Sequence, residues 1–243
     1  MIGGIKSKSK MPIRQLFDTA SSTYTYLVWC SESMDGILID PVDVQVDRDL
    51  KVVSEEGVNL LYGVNTHAHA DHITGTGILK TKVKGLRSII SKASTAKADI
   101  LVGPGDEIVF GQRQVTVRAT PGHTQGCVSY VTDDQMSVFT GDTLLIQGCG
   151  RTDFQGGSPS ELFDSVHTQL FTLQDECVVY PAHDYKGRFS STIGTEKATN
   201  PRLGGTKTKA EFIDIMNNLN LSMPKKLDIA VPANMMCGVP DMP

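Results

Sequence analysis

Three imidazoles and one carboxylate lie within six positions of the segment Thr-His-Ala-His-Ala-Asp-His at residues 66–72. His67 and His69 are two residues apart, so in extended chain both side chains point to the same face. Asp71 and His72 follow where the chain must turn, which lets their side chains converge on the same space. Neutral imidazole and carboxylate are ligands that zinc, iron and manganese accept. Because half of the chain's six histidines lie here, we interpret the segment as part of a metal site rather than as a polar surface loop.

Polar clusters follow other apolar segments at three further places, namely Pro121-Gly122-His123, Thr140-Gly141-Asp142 and Pro181-Ala182-His183-Asp184. Ligand sites in sheet proteins commonly collect on the loops at one set of strand ends. A metal site is the simplest common cause for four such clusters. Gly122 and Gly141 fit turns that aim the neighbouring ligand inward. His167 is predicted on the exposed part of a helix and is left out of the site.

The elements that must position these residues are predicted from the hydrophobic pattern. Runs of β-branched and aromatic residues predict strands at 14–17, 23–30, 36–41, 60–65, 88–91, 108–110, 114–119, 128–131, 136–139 and 178–180. Helical spacing and capping signals predict helices at 47–56, 73–82, 92–99, 158–171 and 208–219. Residues 221–243 are predicted as ordered coil that wraps the domain. The strand at 60–65 delivers the histidine segment at its carboxyl end.

The composition describes an ordinary soluble globular protein of 243 residues with a net charge of −4. It gives no indication of a nucleic-acid partner, and the absence of a long apolar run predicts no membrane span. The five cysteines are odd in number and form no C-x-x-C motif, which favours a reducing compartment. Residues 1–11 are predicted as a flexible N-terminal tail, with a targeting role left open, and residues 12–243 as one catalytic domain.

The four motifs in this order resemble the metallo-β-lactamase superfamily. That resemblance implies an α+β fold, the αββα sandwich, with metal at one edge of the sheets. Three further segments, at residues 148–154, 200–203 and 231–238, are similar to those of the persulfide dioxygenase family, the ETHE-type sulfur dioxygenases. This similarity runs from about Ile13 to the C-terminus.

The resemblance implies an enzyme that oxidises glutathione persulfide with O₂ and water to sulfite and glutathione during sulfide catabolism. It implies one non-haem Fe(II) per chain as the cofactor, with His67, His123 and Asp142 as the metal ligands and catalytic centre. Matched family positions imply that glutathione is contacted by Arg151, Tyr185, Arg202 and Thr124. The family also suggests a homodimer, located in the mitochondrial matrix of a eukaryote and in the cytoplasm otherwise.

The number of metals stays open on the residues alone. His69, Asp71, His72 and His183 complete the ligand set of the binuclear hydrolases of this superfamily; the resemblance assigns them instead to a vacant second site or to groups that orient the iron ligands. The alternative function is a glyoxalase II-like hydroxyacylglutathione thioester hydrolase with two metals. That family has a helical C-terminal domain, whereas only 60 residues follow His183 here. A non-catalytic sulfur-sensing module is disfavoured because every predicted ligand is intact.

Overall fold

The protein, described by a computed structural model over residues 10–238, forms two six-stranded β-sheets flanked by helices. The strands are β1 (Ile13–Asp18), β2 (Thr23–Trp29), β3 (Asp35–Ile39), β4 (Asn59–Val64), β5 (Arg87–Ser91), β6 (Ile100–Val102), β7 (Glu107–Phe110), β8 (Arg113–Ala119), β9 (Val128–Thr132), β10 (Ser137–Gly141), β11 (Val178–Pro181) and β12 (Ser191–Thr192). The helices are α1 (Val46–Glu55), α2 (Thr76–Lys82), α3 (Pro159–Ser165), α4 (Ile193–Thr199), α5 (Lys209–Asn217) and α6 (Leu227–Met235).

Strand order follows the chain in both sheets. In the first sheet β1 to β3 pair antiparallel, and β3 to β6 pair parallel. The second sheet runs from β7 to β12 and is antiparallel except for the parallel pair of β10 and β11. Each sheet is therefore built from one contiguous part of the chain.

Alternation along the strands divides their side chains between two layers. In β2, Tyr26 and Val28 face the second sheet, whereas Leu27 faces the outer helices. In β10, Phe139 faces the first sheet and Val138 faces the opposite side. The core between the sheets is thus apolar and aromatic, and burial of these faces is the main force that holds the sheets together.

Helices cover the outer face of each sheet. Val53 of α1 and Leu79 of α2 pack on the first sheet. Leu162 of α3 and Phe212 of α5 pack on the second sheet. The predicted αββα sandwich is therefore confirmed. Both predicted capping signals are present as well, because Ser158 accepts a hydrogen bond from the Glu161 N–H and a reciprocal capping box precedes α5.

Several elements of local structure differ from the sequence predictions, and the strands β6 and β12 were not predicted at all. The helix predicted at 92–99 is a single 3₁₀ turn, Lys92–Ser94. The helix α4 was missed because it has only seven residues and contains Gly194, so its periodicity is weak. Within residues 221–238, predicted as coil, the chain forms α6 although Pro232 lies inside it. Tertiary contacts described below hold this helix in place.

The ends of the chain bear on two other predictions. Of the predicted flexible tail, residues 1–9 lie outside the described residues, and Met11 is buried in the core between the sheets. The folded domain therefore includes Met11, which was predicted to belong to the tail. Residues 239–243 also lie outside the described residues. No helix within residues 10–238 is both long and apolar enough to cross a membrane.

Candidate metal centre

The four polar clusters meet at one edge of the sandwich. His67 follows β4 of the first sheet, whereas His123, Asp142 and His183 follow β8, β10 and β11 of the second sheet. The ligand atoms of His67, His123 and Asp142 lie within 4.8 Å of one another. Gly122 and Gly141 have positive φ angles of 131° and 54°, a backbone conformation that glycine adopts without strain. The two turns place the neighbouring ligands as the sequence predicts.

His67 is held through its Nδ1 atom. The Thr66 hydroxyl donates to Asp40 Oδ2 at 2.9 Å, so its oxygen accepts from His67 Nδ1–H, also at 2.9 Å. The Thr66 backbone N–H donates to the other oxygen of Asp40 at 2.7 Å. Asp40 thus fixes the ring orientation and tautomer of His67, which leaves Nε2 to bind a metal.

His123 is oriented in the same way by a backbone carbonyl. Its Nδ1–H donates to the carbonyl oxygen of Arg151 at 2.6 Å, and its Nε2 lies 3.6 Å from Asp142 Oδ2. The Gly150 N–H donates to the Asp142 carbonyl at 2.7 Å. The chain at residues 149–151 therefore supports two of the three predicted ligands. Two Nε2 atoms and one carboxylate oxygen face a common point, as a divalent metal requires.

Burial and neighbouring charges keep this triad in its ligand form. Burial lowers the pKa of His67 well below its ordinary value, and His69 and His123 lower it further. Burial alone would raise the pKa of Asp142, but His183, together with His123 and His67, holds it below the ordinary range. At neutral pH the site therefore offers neutral His67 and an ionised carboxylate, the protonation states that metal binding needs.

A second cluster is formed by His69, Asp71, His72 and His183, whose ligand atoms also lie within 4.8 Å of one another. His183 Nδ1 lies 2.6 Å from Asp142 Oδ1, and its Nε2 lies 2.9 Å from Asp71 Oδ2. Burial opposes protonation of His183, but Asp142 and Asp71 raise its pKa well above the ordinary value. Both ring nitrogens of His183 thus lie within hydrogen-bonding distance of a carboxylate oxygen.

Two histidines of this second cluster have buried ring nitrogens without a hydrogen bond. His72 Nδ1 pairs with Asp71 Oδ2 at 2.9 Å, while the buried Nε2 of His72 has no hydrogen-bond partner among the described residues. Both ring nitrogens of His69 are likewise buried without a hydrogen bond, although Nε2 approaches Asp40 Oδ1 at 3.1 Å. The donor inventory of the second cluster thus suits a second metal ion.

A cleft of about 760 Å³ opens over His123, Asp142 and His183, a volume typical of small-molecule sites. Arg151, Arg202 and Tyr185, three of the four predicted glutathione contacts, are among its lining residues. Thr124 is not. Its backbone N–H and hydroxyl lie 3.3 and 3.2 Å from the Cys127 sulfur, because the side chain closes the turn behind His123. The predicted contact between Thr124 and glutathione therefore stays a prediction, and no lining residue of the cleft supports it.

The cationic side chains of the cleft are held by specific contacts. Arg151 forms a two-pronged ion pair with Asp153 at 2.7 Å, donates to the Ser222 carbonyl at 2.6 Å and lies 4.4 Å above the Phe154 ring. Arg202 donates to the Cys149 carbonyl at 3.2 Å. These contacts fix the positions of both guanidinium groups at the cleft wall, where they can meet carboxylates of a ligand.

Tyr185 and His167 occupy different environments. Tyr185 is 71% exposed, and its ring is parallel to that of His183 with the centroids 6.1 Å apart. The exposed Tyr185 and the buried His183 thus lie beside each other in the cleft wall. His167, expected on an exposed helix face, is instead half-buried and stacked on Phe163 at 4.0 Å. His167 belongs to neither ligand cluster and does not line the cleft.

Sequence reasoning missed two residues that support the centre. Asp40 lies at the end of a predicted strand, so the strand-end argument applied to the four clusters would have found it. Asn234 contacts the loop of His69 and His72 from α6. It lies in a segment predicted as coil, more than 160 residues away, and no local pattern indicates this contact.

The fold and the two clusters define a metal-binding protein of the metallo-β-lactamase superfamily, whose family model matches residues 78–183. The mouse (Mus musculus) protein named persulfide dioxygenase ETHE1, mitochondrial, is 52% identical over 240 residues, which cover 98% of this chain and 94% of the mouse protein. The crystal structure of ETHE1 from Myxococcus xanthus superposes with a TM-score of 0.91 at 50% identity, covering 94% of this chain and all of that one. The chain therefore belongs to the persulfide dioxygenase family and is a sulfur dioxygenase.

The alternative drawn from the sequence has weaker support. A hydroxyacylglutathione hydrolase from Brucella anthropi is 39% identical over 184 residues, which cover 73% of this chain and 68% of the hydrolase. Both its identity and its coverage are lower than those of the mouse dioxygenase. The comparisons thus confirm the family assignment made from the motifs.

Proposed function

We propose that this enzyme oxidises glutathione persulfide with O₂ and water to sulfite and glutathione, and that it uses one Fe(II) per chain. His67, His123 and Asp142 are the proposed iron ligands. The observation that carries the proposal is the convergence of their two Nε2 atoms and one carboxylate oxygen beneath the cleft. Two histidines and one carboxylate on one face of an ion are typical of non-haem iron oxygenases, because coordination positions stay open.

The residues present fit this metal. His67 and His123 each use Nδ1 in a hydrogen bond and keep Nε2 for the ion. His183 Nδ1 is hydrogen-bonded to Asp142 Oδ1, and Asp142 Oδ2 is the oxygen that faces His123. When bound, Fe(II) supplies the redox chemistry that lets a persulfide sulfur react with O₂.

The cleft suits the glutathione part of the substrate. Glutathione carries two carboxylates, and arginine binds carboxylates through paired, charge-assisted hydrogen bonds. Arg202 and Arg151 are proposed to bind these groups, and Tyr185 is proposed to contact the ligand at the cleft mouth. Because Asp153 takes the Nε and Nη2 donors of Arg151, the remaining N–H of Nη1 is the one proposed to reach the ligand. Binding of both ends directs the persulfide sulfur toward the centre and displaces water from the cleft.

We favour one metal because the relatives that match nearly the whole chain are named persulfide dioxygenase, the family whose resemblance implies one Fe(II) per chain. In this proposal both His183 nitrogens stay with the carboxylates of Asp142 and Asp71, which lie 2.6 and 2.9 Å away. Asp71 and His72 then act on the iron site through His183, which holds Asp142. In the hydrolase alternative, the buried nitrogens of His69 and His72 would instead serve a second ion.

Metal analysis paired with oxygen consumption tests this proposal. Protein reconstituted with Fe(II) under argon is desalted, its metals are counted, and it is then given glutathione persulfide in an oxygen electrode cell. We expect one iron per chain and equal amounts of O₂ consumed and sulfite formed. Two metals per chain together with hydrolysis of lactoylglutathione would overturn the proposal in favour of the hydrolase.

Location and assembly are further parts of the proposal. The mouse and human relatives are named mitochondrial. In a eukaryotic source we place this enzyme in the mitochondrial matrix, where it would serve sulfide catabolism, and otherwise in the cytoplasm. We also propose a homodimer, which light scattering of the purified protein would test. Nucleic acid and membranes are not proposed as partners, given the acidic net charge of −4.

A further inference from the structure

We infer that Asn234, on the C-terminal helix α6, is a positioning residue for the metal centre. Its buried side chain binds three backbone groups of the loop at residues 66–75, here called the metal loop. Nδ2 donates to the carbonyls of His69 at 2.8 Å and His72 at 2.9 Å, and Oδ1 accepts from the Thr74 N–H at 2.8 Å. Both N–H donors and the oxygen acceptor of the amide group are therefore hydrogen-bonded to backbone groups of one loop.

The contacts of Asn234 reach the predicted iron ligands through a short relay. The backbone that it fixes carries Asp71, whose Oδ2 lies 2.9 Å from His183 Nε2. The other ring nitrogen of His183, Nδ1, lies 2.6 Å from Asp142 Oδ1. Loss of the Asn234 contacts therefore frees the loop that holds Asp71, and the position of Asp142 relaxes with it. This step rests on the proposed assignment of Asp142 as a metal ligand.

Helix α6 is docked on the metal loop rather than on a large apolar surface. Its fully buried side chains are small, with Ala230 and Ala233 among them. Its Met235 carbonyl accepts from the Lys97 N–H at 2.9 Å. Just beyond the helix, Gly238 has a φ of +81°, and a Cβ there would lie 2.2 Å from the Thr74 carbonyl oxygen. A glycine at 238 and an asparagine at 234 thus let the helix end fit closely against the loop.

A polar network extends the support to the strand that precedes the metal loop. Thr74 donates through its hydroxyl to Asn65 Oδ1 at 2.8 Å, and Asn65 Nδ2 donates to the Thr76 hydroxyl at 3.1 Å. Asn65 directly follows β4 and Thr76 begins α2. The side chains of Asn65, Thr74 and Asn234 therefore close the metal loop at both of its ends. Asn234 does not line the cleft, so it acts through the loop and not on the substrate.

Co(II) binding by variants of the full-length protein tests the inference. Asn234→Ala removes all three hydrogen bonds, and Asn234→Asp keeps an acceptor for the Thr74 N–H while removing both donors. We expect each variant to raise the Co(II) dissociation constant about 10- to 100-fold, the usual range for groups that orient metal ligands. The KM of the Fe(II) form for glutathione persulfide should stay within about twofold, because the cleft is unchanged.

Amide exchange and a matched control separate positioning from general destabilisation. In the metal-free protein, exchange of the Thr74 amide should accelerate in Asn234→Ala and stay slow in Asn234→Asp. The control is Thr132→Val, which removes a buried hydroxyl that bonds to Asp134 and Ser137 in a hairpin of the second sheet. It should lower the Tm with no change in Co(II) affinity.

Unchanged Co(II) affinity in a folded Asn234 variant would overturn the inference, whether or not its Tm falls. If Asn234→Ala does not fold, the same measurement on Asn234→Asp decides the question. Co(II) binding is independent of the reaction catalysed. Wild-type protein that binds Co(II) but does not oxidise persulfide would therefore refute the proposed function and leave this inference standing.

Discussion

Gly150 lies between two predicted iron ligands, and its replacement by alanine should disrupt both. A Cβ at this position would lie 2.5 Å from the Asp142 carbonyl oxygen and 2.9 Å from the His123 ring. The backbone at 149–151 would therefore have to move. Its movement would weaken the Gly150 N–H to Asp142 carbonyl bond, 2.7 Å long, and the His123 to Arg151 carbonyl bond, 2.6 Å long.

The size of the effect follows from these contacts. Two hydrogen bonds contribute about 1 kcal/mol each, and overpacking of a tight contact costs about 1–3 kcal/mol. Gly150→Ala should therefore lower the free energy of unfolding of the metal-free protein by about 3–5 kcal/mol. Because His123 loses the carbonyl that orients it, metal affinity should also fall about 10- to 100-fold.

Gly148→Ala is the matched control, because a Cβ at Gly148 meets no atom within 4 Å. Urea unfolding of both metal-free variants gives their stabilities, and Co(II) titration gives their affinities. We expect wild-type values for Gly148→Ala and the losses above for Gly150→Ala. A Gly150→Ala protein with wild-type affinity would refute the argument that the chain at 149–151 supports the ligands.

Three further substitutions test other parts of the structure. Asp142→Ala should abolish iron binding, because the one carboxylate of the predicted triad is lost; full iron by metal analysis would exclude this triad. Arg151→Ala should raise the KM for glutathione persulfide about 10-fold or more, as expected for a lost charge-assisted hydrogen bond, and an unchanged KM would remove Arg151 from the substrate site. Burial raises the pKa of Asp49 to about 6, with Arg48 opposing the shift. Because the folded pKa exceeds the unfolded one, ionised Asp49 destabilises the fold increasingly from about pH 4 to pH 6. Asp49→Asn should therefore stabilise the protein by about 1–3 kcal/mol above that range and little below it, as measured by urea unfolding at both pH values.

The sequence predicts much of this centre because each proposed ligand lies next to a strand. Strands have strong periodic patterns, and His67, His123 and Asp142 follow them within a few residues, so local signals place all three at strand ends. The αββα layers follow from the same alternation, visible in β2 and β10. The identity and spacing of the ligands then narrow the chemistry to divalent metals.

Other features depend on contacts between distant parts of the chain and leave no local signal. The helix α6 has a weak helical pattern and contains Pro232, so its docking on the metal loop decides its structure. Thr124 follows a ligand in sequence, yet its hydroxyl turns to Cys127 because the tight turn there needs that partner. Residue types alone do not determine the number of metals, because both clusters offer a set of possible metal ligands.

The division of the sandwich into two sequential sheets has a consequence for biosynthesis. The first sheet ends at Val102, and the second begins at Glu107. The first contributes His67 to the triad, and the second contributes His123 and Asp142. A ribosome adds about 5–20 residues per second. His67 is therefore synthesised several seconds before His123 and Asp142. Neither sheet alone offers a complete site to an ion. A metal ion that takes all three of these ligands can therefore bind only after both sheets have been synthesised and have docked.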